Sequence, residues 1–147
     1  MIKILFVLNA LLLSNIQEQM ETGCPTRILI FYLPMEKDYY VALNPEDLFV
    51  HGETKILESE DRNLVRSFSR IFKCLPKYQI VPDCKYIDVK VLIELFYKNG
   101  EIKMLALDRF GHYMINDTIF KKDIKLLKLI EDNFTEIRWG KYVYQND

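Results

Sequence analysis

Hydrophobic residues recur along the chain in two distinct rhythms, and the change between them marks out the elements. Residues 27–33 (RILIFYL) are apolar almost throughout. That pattern predicts a central strand covered on both faces, ended by Pro34. Residues 35–43 are charged and carry Tyr39 and Tyr40, as expected of a loop or a ragged second strand. Asn44-Pro45-Glu46-Asp47 predicts a helix start, with Asn at the cap, Pro in the first turn and acids against the positive end of the dipole. Gly52 after His51 stops that helix early, and residues 54–57 can form a brief strand.

From Ser59 the period becomes helical. Leu64, Val65, Phe68, Ile71, Phe72 and Leu75 fall at spacings of three and four, which predicts a long amphipathic helix over about residues 60–75. Residues 86–97 (YIDVKVLIELFY) begin by alternating, with Ile87, Val89 and Val91 on one side and Asp88 and Lys90 on the other. Asn99-Gly100 is a strong signal for a type I′ hairpin turn, returning through residues 101–107. Asp108-Arg109-Phe110-Gly111 gives a further turn, residues 112–115 a strand, Asn116-Asp117 another two-residue turn, and residues 118–120 the last partner. A second long helix is expected over residues 122–134, with Ile124, Leu127 and Ile130 in line. Residues 135–147 show no clear period and read as an edge strand or as a tail docked through Trp139. No repeat or linker interrupts the chain. The expected fold is a single α+β domain over residues 20–147: an antiparallel meander with residues 27–33 added, and two long helices packed on one face.

The N-terminus stands apart from that domain. Lys3 is followed by an apolar run over residues 4–16 (ILFVLNALLLSNI), which Gln17, Glu18 and Gln19 end. A basic start and an apolar stretch of roughly 7–15 residues is the layout of a secretory signal peptide, and it is shorter than the roughly 20 residues a membrane span needs. Residues 1–19 are therefore expected to be a signal peptide, cleaved somewhere in 14–19, leaving no stable span in the mature chain. The competing reading is a buried first element of a cytoplasmic domain. Thr22-Gly23-Cys24 resembles the end of a bacterial lipoprotein signal, but Glu21 stands where that signal carries an apolar residue. Cys74 and Cys84 flank the loop LPKYQIVPD. A disulfide there would close a short loop and stabilise the fold by somewhat under ~3 kcal/mol; the alternative is two reduced thiols.

Composition removes some functions. Twenty Lys and Arg against 21 Asp and Glu leave a net charge of −1, without the basic excess that phosphate contacts with nucleic acid require. No CxxC or Cys/His spacing suggests zinc, and no motif calls for a metal or a cofactor. Asp108 can orient His112 as a base near neutral pH, but no GxSxG or similar nucleophile elbow accompanies them. The plainer reading makes them turn residues and the start of a strand. Asp83, Asp88 and Glu94 can in principle pair as carboxylates or hold a cation, though they match no glycosidase or calcium-loop spacing. His51 stands alone at a helix end.

Nine tyrosines are many for this length. Of these, Tyr39 and Tyr40 lie in the charged loop and are the candidate binding residues, because exposed tyrosines among mixed charges are typical of protein-binding surfaces. Tyrosines that merely cap a small core explain the composition equally well.

In order, the signal-like start, ILIFYLP, NPEDL with the long helix, the meander IDVKVLIELFYKNGEIKMLALDRFGHYMIND and the helix KDIKLLKLIEDNF resemble small exported proteins of Gram-negative bacteria that carry no assigned activity. The resemblance implies export and an α+β fold, and it transfers no functional residue. The function expected is non-enzymatic binding in the periplasm or cell envelope, for instance by an inhibitor or immunity-type protein that covers a protein partner. The alternatives are a small hydrolase using Asp108 and His112, or a structural envelope component. An open pocket beside His112 favours the hydrolase. An uninterrupted sheet there, with Tyr39 and Tyr40 exposed, favours the binder.

Overall fold

The computed structural model describes residues 23–75, 80–81 and 86–144. The expected signal peptide, Cys84 of the expected disulfide, Asp83 and Tyr78 lie outside the described residues, as do the flanking prolines of the loop. In chain order the elements are β1 (Pro25–Tyr32), α1 (Asp47–Val50), β2 (Lys55–Ser59), α2 (Arg62–Cys74), β3 (Val89–Tyr97), β4 (Ile102–Asp108), β5 (Tyr113–Ile115), β6 (Thr118–Phe120), α3 (Ile124–Asn133) and a 3-10 turn (Lys141–Tyr144). The fold is α+β. Its six strands form one antiparallel sheet in the order β2-β1-β3-β4-β5-β6. No helix among the described residues is long and apolar enough to cross a membrane.

Alternation in the strands sends side chains to two apolar clusters. The larger gathers Ile28, Ile30 and Tyr32 of β1 with Val91, Ile93 and Leu95 of β3 and Leu105 and Leu107 of β4, against Val65, Phe68 and Phe72 of α2 and Leu126, Leu127 and Ile130 of α3. The smaller holds Phe31, Leu33, Leu48, Val89, Leu92 and Ala106. Both faces of β1 and β3 are thus supplied with apolar neighbours, which is why these two strands read as nearly continuous hydrophobic runs.

Several local expectations are corrected by the backbone. Val89 and Val91 do not share a face. Val89 pairs with Asp108 and Val91 with Leu107, so Lys90 is the extra residue of a β-bulge that turns the strand over between them. The Asn99-Gly100 turn is not type I′: only Gly100 has positive φ, at 84°. The Gly100 N–H bonds the Tyr97 carbonyl at 3.0 Å, and the Tyr97 N–H bonds the Glu101 carbonyl at 2.9 Å. This is a three-residue loop with a left-handed glycine at its end. Asn116 and Asp117 both have positive φ, 46° and 60°, and form the two-residue turn between β5 and β6. Asp61, rather than Ser59, caps α2, its carboxylate accepting from the Asn63 and Leu64 amides at 2.8 and 2.9 Å. Ser59 instead accepts from the Asp61 amide. In α1 the Asn44 side chain makes no cap, and the Asp47 carboxylate accepts from the Asn44 amide. Residues 135–144 dock as a tail, with Ile137, Trp139 and Val143 buried in the larger cluster.

Glu94 sits in the middle of β3, nearly enclosed, opposite Leu29 and Met104. Burial raises its carboxyl above the ordinary value, and the charge of Arg27 only partly opposes this. The folded state therefore holds that proton more tightly than the unfolded chain does. Stability from this group is present at low pH and lost as pH rises through the folded value. Glu94→Gln, which mimics the protonated form, is expected to be more stable than the native chain at neutral pH, with the gap closing in mild acid. Urea midpoints at the two pH values check this; a gap that widens in acid contradicts it.

Candidate functional site

The turn between β4 and β5 is built like the one between β3 and β4. The Gly111 N–H bonds the Asp108 carbonyl at 3.2 Å, the Asp108 N–H bonds the His112 carbonyl at 3.0 Å, and Gly111 has φ 84°. Asp108 adds a second set of bonds. Its Oδ1 accepts from the Phe110 and His112 amides at 2.8 and 2.9 Å, while Oδ2 lies 2.9 Å from His112 Nδ1. Its backbone carbonyl also accepts from Trp139 Nε1 at 3.1 Å. Burial pushes the Asp108 carboxyl up, and the bond and charge of His112, with the two amides, oppose the rise. Donation of the Nδ1 proton to Asp108 leaves His112 Nε2 as an acceptor. The predicted pairing of Asp108 with His112 is therefore present, and the His112 side chain is 39% exposed.

His112 opens onto a cavity of about 840 Å³. The post-β1 loop contributes Met35 and Glu36, and the β4–β5 turn contributes Arg109 and Phe110. Lys121 and Lys122 come from the approach to α3, Arg138 to Gly140 and Val143 from the tail, and Val81 stands nearby. Met35, Val81, Phe110, Trp139 and Val143 supply an apolar wall. Among the described residues four cations and one carboxylate stand around it. Arg109 is already engaged: it pairs with Asp38, approaches Asp88 at 4.0 Å and donates to the Lys37 carbonyl at 3.0 Å. Arg138 donates to the Glu131 and Ile137 carbonyls, which hold the guanidinium in place without neutralising it. No serine, threonine or cysteine is among the described lining residues. The Asp108–His112 spacing is visible in the sequence. The cavity is not, because its walls come from segments brought together only by the docking of the tail.

Tyr39 and Tyr40 go to different places. Tyr40 is fully exposed beside exposed Val41. Tyr39 folds inward: its hydroxyl donates to Glu53 at 3.0 Å, its ring meets His51 edge-on at 4.8 Å, and Lys90 Nζ lies 4.1 Å from its ring centre. Burial, then the bond to the negative Glu53, push the Tyr39 hydroxyl up to about 12. Lys37 and Tyr39 together lower the Glu53 carboxyl. The expected exposed pair is thus a single exposed tyrosine. Tyr39→Ala is expected to destabilise by about 2–3 kcal/mol through lost packing, hydrogen bond and cation–π contact. Tyr40→Ala is expected to change stability by no more than about 0.5 kcal/mol. Comparison of urea midpoints tests the contrast.

Asp88 and Glu94 do not form a pair. Asp88 precedes β3, where Oδ1 accepts from the Leu43 amide and Oδ2 contacts Lys90. Glu94 lies six residues further along, on the order of 20 Å at strand spacing. Among the described residues no group of three His, Cys, Asp or Glu side chains gathers to hold a metal. Cys24 and Cys74 are exposed. Compared with known proteins, the chain matches no family model, no curated protein and no solved structure.

Proposed function

We propose that this is an exported, non-enzymatic binding protein of the cell envelope, and that its site is the cavity beside His112. The cavity chooses the site, since its size suits a small molecule, its wall is apolar and its rim is charged. An open pocket beside His112 is the feature expected of the hydrolase, so the observation that carries binding over turnover is the make-up of that wall. Binding without turnover is supported by the lack of a hydroxyl or thiol nucleophile among the described residues of that wall. Export rests on the signal-like start. An intact mass short of 14 to 19 N-terminal residues in fractionated cells supports it, and a full-length chain overturns it. The same reading takes the two longer helices as the cover of one sheet face, supported by the cluster they share. In the version where a protein partner is covered, exposed Tyr40 and Val41 are the contact.

The second reading is hydrolysis, favoured by an Asp–His pair at the mouth of an open cavity. Here His112 Nε2 would take a proton from water, and the rim cations would meet the developing negative charge. A panel of aryl esters and aryl phosphates decides between the two. The binding reading expects no turnover above buffer from the native chain or from His112→Ala. A rate that His112→Ala abolishes while its melting curve stays the same establishes the hydrolase instead.

A further inference from the structure

Resting on the cavity as the binding site, we infer that its ligand is an apolar molecule whose polar head donates a hydrogen bond, from a hydroxyl or an N–H, to His112 Nε2. The preference for a donor is set by Asp108. Its Oδ1 accepts from the Phe110 and His112 amides, and its Oδ2 meets His112 Nδ1 at 2.9 Å. Amides bonded to a carboxylate favour its ionised form, which has no hydrogen to give. Nδ1 therefore carries the hydrogen of the neutral ring, and Nε2 keeps a lone pair. The main chain fixes this arrangement. The Asp108 N–H bonds the His112 carbonyl at 3.0 Å, and the Asp108 carbonyl accepts from the Trp139 indole at 3.1 Å.

With Nδ1 turned to Asp108, the rest of the ring belongs to the cavity. His112 lines it with the side chain 39% exposed, and Nε2 has no partner among the described residues. The apolar body is called for by the wall beside it. Phe110, with its ring 6.4 Å from that of His112, is left 62% exposed, while Trp139, at 5%, forms part of the buried side. Covering Phe110 takes apolar surface out of water, which is favourable. A ligand that does so takes Nε2 out of water as well. An ether or carbonyl oxygen placed there has no hydrogen to offer and leaves a buried acceptor unpaired, which is unfavourable. A donor head replaces the bond that Nε2 gives up. Phe110 and His112 thus select together, for an apolar surface with a donor a ring's breadth away.

Trp139 is the only tryptophan in the chain and lies on the cavity wall, so its emission reports occupancy. The probes are para-propylphenol, its methyl ether para-propylanisole, and propylbenzene. They are titrated at mildly alkaline pH, where imidazoles are neutral and phenols un-ionised. Saturable change is expected with all three, the phenol binding tighter than the ether by about tenfold. His112→Phe is expected to bring the phenol down to the ether while propylbenzene still binds, which a collapsed cavity would not allow. Asp108→Asn tests the positioning role. Its side-chain oxygen can still take the two amides, but its NH2 donates to Nδ1 and moves the ring hydrogen to Nε2, so the advantage of the phenol over the ether is expected to vanish. Phe110→Ala, at an exposed position, is expected to weaken all three probes without moving the melting curve. An ether that binds the native chain as tightly as the phenol overturns the donor class and leaves the cavity reading standing. A phenol preference that survives in His112→Phe or in Asp108→Asn does the same. No saturable response to any probe, or binding of all three undiminished in Phe110→Ala, overturns both.

Discussion

Gly111→Ala is expected to cost about 2–4 kcal/mol, enough to remove a large share of the stability of a domain this size. Two effects add. Gly111 has φ 84°, a region that L side chains rarely adopt, and a non-glycine residue there costs on the order of 1 kcal/mol. A Cβ at this position would also stand 2.7 Å from Leu127 Cδ1, 3.2 Å from Val143 Cγ1 and 3.3 Å from Lys122 Cβ. Leu127 is fully buried in α3 and Val143 is held in the docked tail, so relief requires moving packed elements rather than one flexible end. Gly100 supplies the control. It ends a turn of the same form with the same φ, yet a Cβ there meets nothing within 4 Å. Gly100→Ala is therefore expected to cost about 1 kcal/mol, the conformational part alone. Urea denaturation of both variants separates the contributions; equal costs would show that the contact beneath Gly111 yields freely. Because Val143 lines the cavity, Gly111→Ala is also expected to weaken cavity binding, and Gly100→Ala to leave it intact.

The same two glycines show what was legible in the sequence. Gly100 and Gly111 are recognisable as turn residues because φ is a local property. That Gly111 must also be small depends on α3 and the tail, distant in the chain. Strands β1 and β3 are readable because burial on both faces makes them continuous apolar runs, and α2 and α3 because burial of one face imposes its period on the residues. The bulge at Lys90 was not, because Val89, Lys90 and Val91 alternate in type without revealing that the strand turns over between the two valines. The Asp108–His112 pair lies four residues apart across one turn and was visible. Tyr39 and Tyr40 look alike in sequence, and contacts with Glu53, His51 and buried Lys90, all distant in the chain, distinguish them. The cavity joins residues from 35 to 143, so no local pattern announces it.

Asp88→Ala is expected to destabilise by about 3 kcal/mol, and the reason lies in its partner. Lys90 is 0% exposed, an unusual place for an ammonium. Its Nζ is held by Asp88 Oδ2 at 3.1 Å, by the Lys37 carbonyl at 3.1 Å and by the face of Tyr39 at 4.1 Å. Of these, Asp88 brings the formal negative charge. Removing it leaves a buried cation facing only a dipole and a ring, while the Leu43 amide loses its acceptor as well. Lys90→Met removes the charge and keeps much of the volume and the apolar stem, so its cost is expected to be about 1 kcal/mol or less. The double variant is then expected to be more stable than Asp88→Ala alone, because the second change removes the cation that the first leaves unpaired. Such non-additivity, read as a coupling of about 2 kcal/mol in a double-mutant cycle of urea midpoints, is the signature of a desolvated pair. Additive costs would mean that water reaches Lys90 once Asp88 is gone. The consequence reaches the site through Arg109, which leans on Asp38, Asp88 and the Lys37 carbonyl from the cavity side. Asp88→Ala is therefore expected to loosen the cavity wall at Arg109, and Lys90→Met to leave that wall in place.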